Sequence, residues 1–325
     1  MTPALSAGDP AMTRPFALAA AFAVSLTPLA AAATPEGWSP LLEPAQLNAL
    51  LDQYGEDIRV VQITGEYTQG HIPGSGWSPY ASWRSDMPNP GALRDLPHLT
   101  TVVQELGIDT DTPVVVVHAG RDATDMGAAA RVYWTLRSMG IEDLALLNGG
   151  LAAWTQAGLP VETADASFFP SDYQGEWTDE WRATTAEVTR MVADGSAELI
   201  DARPAGFFDG LTWSVAAPGT IHGADNLEYS EFFDGTRLVG AEAIRAAAAE
   251  AGYTGNTTAV SFCNTGHWAA INWFALSEVA GYDDVRLYAE SMAEYAADGT
   301  QPLDNAPNRL QYAWRAATNW VGSLF

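Results

Sequence analysis

Cys263 is the only cysteine in 325 residues, and so the one side chain here able to act as a thiolate nucleophile. It directly follows the apolar run Thr258–Phe262 and opens the loop Cys263-Asn264-Thr265-Gly266-His267-Trp268, after which a helical pattern begins. In open parallel sheets, ligands collect at the carboxyl ends of the strands, where this order places the sulfur. A short loop there can turn its backbone N–H groups, with the following helix start, toward the sulfur and favour thiolate over thiol. His267, if it points inward, would add to that field. The competing reading is an inert buried thiol, because cysteine often behaves as a small core hydrophobe. The strand–loop–helix junction, with Gly266 inside the loop, favours the reactive reading. A lone cysteine excludes an internal disulfide, and five histidines without tight spacing argue against zinc. Neither a metal nor a cofactor is expected.

The elements that must position this loop come as two copies. GIEDLALLNGGLAAW from Gly140 and GYDDVRLYAESMAEY from Gly281 share one pattern at a constant offset of 141 residues, which pairs Trp154 with Tyr295. Upstream, an apolar run near 113–117 with its helical stretch is echoed by the run before Cys263 and the helix after it. Strand, loop, amphipathic helix ending at Gly, then strand is a βαβ unit. Strands apolar throughout suit a parallel sheet covered on both faces. The expected class is α/β, with domains at 38–163 and 183–305 joined by a linker over 164–182. A tail over 306–325 sets Leu310, Trp314, Ala317, Val321 and Leu324 along one helical face, an apolar stripe expected to pack back on the body.

Net charge is -25, and all 15 basic residues are arginines. Such a surface repels nucleic acid and anionic lipid, so neither is an expected partner. Residues 12–33 have the parts of a secretory signal: Arg14, an apolar run from Phe16 to Leu26, and the small residues Ala30 to Ala33. That run is short for a membrane span. The expectation is an exported protein, periplasmic or secreted, without stable membrane insertion.

Four motifs in order carry a resemblance to a known family. CNTGHW resembles the active-site loop of rhodanese-type sulfurtransferases, and LNGGLAAWTQAGLPVE is similar to the family's GG-x-x-x-W-x-x-x-G-x-P ending. HIPGSG resembles its G-H-I-P-G-A turn, and DARP, Asp201 to Pro204, its D-x-R strand end. The resemblance covers about residues 40–305 and implies two tandem rhodanese-like domains, each a mostly parallel sheet with helices on both faces. It implies a catalytic second domain and an inactive first one, where His118 takes the place of Cys263. Further implied are a persulfide on Cys263, ping-pong sulfur transfer, and a small anionic sulfur donor held by Arg203, Asn264, Thr265, Gly266, His267 and Trp268. Asp201 is the alternative ion-pair partner of Arg203, and His222 could line the same mouth. With no second cysteine to resolve the persulfide, the acceptor must be external: cyanide, a thiol or a carrier protein.

The donor stays open at this level. Asn264 and Thr265 replace the basic loop residues of thiosulfate-preferring members. Thr265 and His71 would suit a mercaptopyruvate-preferring one, yet Gln62 stands near its expected aspartate, and Phe207 and Asp209 stand where further arginines belong. Thiosulfate is the favoured donor; 3-mercaptopyruvate transfer, or an exported carrier that does not turn over, are the alternatives. A cysteine phosphatase needs C-x5-R, and Ala269 occupies that arginine's position.

Overall fold

The computed structural model describes residues 34–307, with Met1 and Gln311. The expected leader, 12–33, and the apolar stripe of the tail lie outside the described residues. In the first half, the apolar runs become β1 (Leu41–Leu42), β2 (Arg59–Gln62), β3 (Gly76–Trp77), β4 (Val114–Val117) and β5 (Leu144–Leu147). Between them lie α1 (Pro44–Tyr54), α2 (Leu96–Glu105) and α3 (Met126–Ser138), and α4 (Gly150–Gln156) follows. These strands form one parallel sheet in the order β1-β5-β4-β2-β3. Every residue of β4 and β5 is buried, as expected of strands covered on both faces.

The second half begins with α5 (Thr185–Asp194), whose first turn is closed by a Thr184–Glu187 capping box. Then come β6 (Ala197–Asp201), α6 (Ala205–Phe208), β7 (Thr220–Ile221), β8 (Asp225–Asn226), β9 (Phe233–Asp234), β10 (Arg237–Leu238) and α7 (Ala241–Glu250). The last elements are β11 (Thr258–Phe262), α8 (Trp268–Trp273), β12 (Val285–Leu287), α9 (Ser291–Tyr295) and β13 (Leu303–Asp304). The main sheet, β12-β11-β6-β8, is again parallel, while β9 with β10 and β7 with β13 form small antiparallel pairs. In register, Phe262 lies beside Asp201, so Cys263 and Arg203 both emerge from the carboxyl edge of this sheet.

One apolar core runs through both halves: Val116, Val132 and Trp134 of the first share a cluster with Ile200, Ile271 and Phe274 of the second. α3 packs on α8 at its centre. A Cβ at Gly127 would stand 2.7 Å from Nε2 of His267, so glycine is required for this approach. Nearby, Tyr133 meets Phe274 edge-on at 5.0 Å and donates from its hydroxyl to Glu278 at 2.6 Å. Segment 164–182 is not a loose tether. Tyr173 is buried and bonds the carbonyl of Met139, Trp177 packs edge-on against Trp134, and the carbonyl of Trp181 accepts from Leu287.

Candidate active site

Cys263 lies at the end of β11, 2% exposed. Its own N–H and that of Gly266 both donate to Oγ of Ser291, at 3.1 Å each, and that hydroxyl donates to the carbonyl of Tyr288 at 2.7 Å. Ser291 has φ +54°, a left-handed conformation unusual for serine, and it stands 141 residues after Gly150, which has φ +61°. The carbonyls of Cys263 and Asn264 accept from Met292 and Ala293 of α9. The start of α9 thus holds the loop along its outer edge. The N–H groups of Asn264, Thr265 and His267 have no hydrogen-bond partner among the described residues, and so remain available to an anion beside the sulfur. Gly266 turns the loop at φ +68°; a Cβ there would lie 2.3 Å from the carbonyl oxygen of Ala289 and 2.4 Å from Nη1 of Arg131.

The other predicted residues sort into two groups. Those in the loop stay beside the sulfur, but their side chains face the first domain or their own scaffold. Asn264 accepts at Oδ1 from Arg203 at 3.1 Å and donates from Nδ2 to Ser214 at 3.1 Å. Trp268 donates to Oγ1 of Thr124 at 3.2 Å and stacks on Tyr229 at 5.1 Å. His267 points away from the sulfur. Its Nε2 faces the carbonyl of Thr124 at 2.9 Å, and its Nδ1 faces the hydroxyl of Tyr80 at 3.1 Å. A carbonyl can only accept, so Nε2 carries the proton and Nδ1 accepts from Tyr80. Burial and the Arg84 charge push His267 down to about 4. At neutral pH it is uncharged, and the expectation of an added positive field from it gives way.

Arg203, expected to hold an anionic donor, is fully buried and engaged by its own scaffold. Nε donates to Asp201 at 2.8 Å, Nη2 to the same carboxylate at 2.6 Å, and Nη2 also to the carbonyl of Gly219 at 2.8 Å. Asp201 accepts in addition from Thr220 at 2.7 Å. The pair's place is to orient Asn264 next to Cys263. His222 is exposed and pairs with Asp304 at 2.8 Å, on the β7–β13 edge. His71 is buried in the first half, stacked on Tyr67 at 3.7 Å and bonded to the carbonyls of Tyr67 and Ala164. Among the described residues, neither histidine bonds the Cys263 loop.

Sequence spacing alone does not single out the first-domain residues that reach this loop. Arg84 donates from Nη2 to the carbonyl of Thr265 at 2.8 Å and from Nη1 to the hydroxyl of Tyr80. Arg131, on α3, donates from Nη1 to the carbonyl of Gly266 at 3.4 Å and from Nη2 to that of Gly91 at 2.9 Å. Ser291 was within reach of sequence reasoning: the repeat offset sets it against the second glycine of NGG, a position that demands a left-handed residue.

The corresponding loop of the first half, after His118, closes on a carboxylate of its own. Asp125 accepts from the N–H of Gly120 at 2.8 Å, from the hydroxyl of Thr64 at 2.9 Å and from Arg121 at 3.1 Å, with Nδ1 of His118 at 3.7 Å. Burial opposes its ionisation, but His118, Arg121 and Thr64 outweigh it and hold the carboxyl well below the usual carboxylate range. An internal anion thus fills the first loop, while the second keeps N–H groups without partners among the described residues. A cleft of about 710 Å³ at the amino end of β2, lined by Asp52, Arg59, Glu162 and Phe168, contains no residue of the Cys263 loop. Among the described residues no cluster of three or more His, Cys, Asp or Glu side chains could hold a metal ion, and no helix is long and apolar enough to cross a membrane.

Two parallel-sheet repeats with a cysteine loop at one carboxyl edge define a class, and sequence comparison gives it a name. The rhodanese-like domain model matches residues 43–157 and again 184–298, and the chain belongs to that family. It is similar to a sulfur carrier protein, TtuD, of Thermus thermophilus, at 29% identity over 258 residues, covering 73% of this chain and 87% of the relative. A 3-mercaptopyruvate sulfurtransferase of Escherichia coli is 27% identical over 262 residues, 77% of this chain and 87% of that protein. The fold is shared with the crystal structure of SseA from Escherichia coli, described as a 3-mercaptopyruvate sulfotransferase of "Rhodanese" fold. The TM-score is 0.70 at 22% identity, over 78% of this chain and 98% of the other.

Proposed function

We propose that this chain is a sulfurtransferase that moves the sulfane sulfur of thiosulfate to a thiophilic acceptor through a persulfide on Cys263. The observation that carries the reading is the loop itself: one thiol at a strand end, followed by three backbone N–H groups with no partner among the described residues. The Cys263 thiolate attacks the outer sulfur of the donor, the donor's S–S bond breaks, and sulfite leaves with the bonding pair. The acceptor, whether cyanide, a thiol or a carrier protein, then attacks the outer sulfur of the persulfide and releases the thiolate. The loop N–H groups would stabilise the anionic outer sulfur of the persulfide after the first step and the Cys263 thiolate released in the second. A 3-mercaptopyruvate carboxylate calls for a bidentate guanidinium, and the fork of Arg203 is spent on Asp201, which supports the smaller donor. Export rests on the composition of residues 12–33.

Incubation with thiosulfate and cyanide should give thiocyanate, and Cys263→Ser should abolish it. After donor exposure, intact mass should rise by roughly 32 Da, one sulfur atom, reversibly on addition of a thiol. Turnover on mercaptopyruvate but not thiosulfate would move the assignment to that donor. A stable adduct without turnover would make the protein a carrier, and no adduct with either donor would end the reading.

A further inference from the structure

The Cys263 loop is held on one side by Ser291 of its own half and on the other by two arginines of the first half. Arg84 is 7% exposed and Arg131 1%. Neither has a carboxylate among its hydrogen-bond partners: Arg84 bonds Thr265, Tyr80 and Pro90, and Arg131 bonds Gly266 and Gly91. Nε of Arg131 is buried with no hydrogen-bond partner among the described residues. Holding two guanidinium groups in the interior with no carboxylate hydrogen-bonded to either is costly, so their charge calls for an account beyond stability. Arg84, Tyr80, Glu290 and Cys263 all act electrostatically on Arg131. Of these, Glu290 is bound by Arg182 at 2.6 Å. Burial and Arg84 lower Arg131 to about 10, which leaves it protonated at neutral pH.

We propose that the first domain sets the reactivity of the second domain's cysteine, with Arg84 and Arg131 as positioning residues. By taking the carbonyls of Thr265 and Gly266 they fix the loop's successive peptides and place two positive charges behind a thiolate at Cys263. The proposal rests on the reading of Cys263 as the nucleophile. It gives the first half a task in the chemistry although His118 stands where a nucleophile would be. The basic residues absent from the loop itself are supplied across the interface instead.

Because Cys263 is the sole thiol, its alkylation by iodoacetamide in the full chain reads the site without any sulfur donor. Arg84→Gln and Arg131→Gln should each slow alkylation at about pH 7 by roughly tenfold. The deficit should close by about pH 9.5, where a thiol ionises unaided. Arg190→Gln, which removes an exposed charge on α5, should change nothing. Folded glutamine variants that alkylate at the native rate at neutral pH would overturn the proposal, as would a deficit that persists at high pH. Should the glutamine variants fail to fold, Arg84→Lys and Arg131→Lys keep the charge and should react within about threefold of native; a tenfold loss in them would overturn it as well. Failure of thiosulfate turnover with this alkylation pattern intact would count against the donor assignment alone.

Discussion

His267 shows how one residue's chemistry is set by what it touches. It follows the cysteine by four positions, yet its ring closes a chain running from Arg84 through Tyr80 to the carbonyl of Thr124. Its value in the folded protein is about 4, against 6.5 for an unhindered histidine. The unfolded chain therefore takes up this proton first as the pH drops. Above 6.5 the residue has no effect on the pH dependence of stability; between 6.5 and about 4 stability falls progressively. The unfolding midpoint of the native protein should accordingly drop more steeply from pH 7 to pH 4 than that of His267→Gln. Parallel curves would show that the ring is not held neutral.

At the scale of elements, the two halves use the same strand–loop–helix unit for different ends. In the first, Asp125 sits at the start of α3 and its side chain turns back into the loop after β4. Next to it, Thr124 receives both His267 and Trp268. Asp125→Ala removes a buried carboxylate that several donors share, and should cost about 2–4 kcal/mol. Denaturant unfolding would read that loss as a lower midpoint at unchanged slope, and a midpoint within error of native would refute the closed-loop account. The repeat made the strands, the loops and the anchors Trp154 and Tyr295 legible in the sequence, because apolar runs and turn glycines are local signals. The contents of each loop were not legible, because the partner of a backbone N–H is chosen by packing.

At the scale of the molecule, a net charge of -25 is spread over halves that share one core. Self-repulsion favours the expanded state, and added salt screens it within about 10 Å at 0.1 M. Raising sodium chloride from about 20 mM to about 0.5 M should increase Tm by roughly 1.5–3 °C, a shift equivalent to about 1–2 kcal/mol for a chain of this size. A flat or falling Tm would mean that the acidic surface does not strain the fold. The same shared core explains why the halves act as one unit: α3 meets α8 at the centre, and the loop bearing Cys263 lies at that seam.

The sequence by itself determined the α/β class, the duplication, the position of Cys263 at a strand end and the glycine inside the loop that follows it. Each of these depends on residues close together along the chain, or on a repeat that copies them. Only the tertiary structure decided what surrounds the sulfur. It committed Arg203 to Asp201, sent His71 and His222 elsewhere, and turned His267 toward Thr124 and Tyr80 of the first half. It also brought Arg131 and Arg84 to the loop across sequence separations of 135 and 181 residues. Spacing carries no record of such partners, because burial of the shared core chooses them once both sheets have formed.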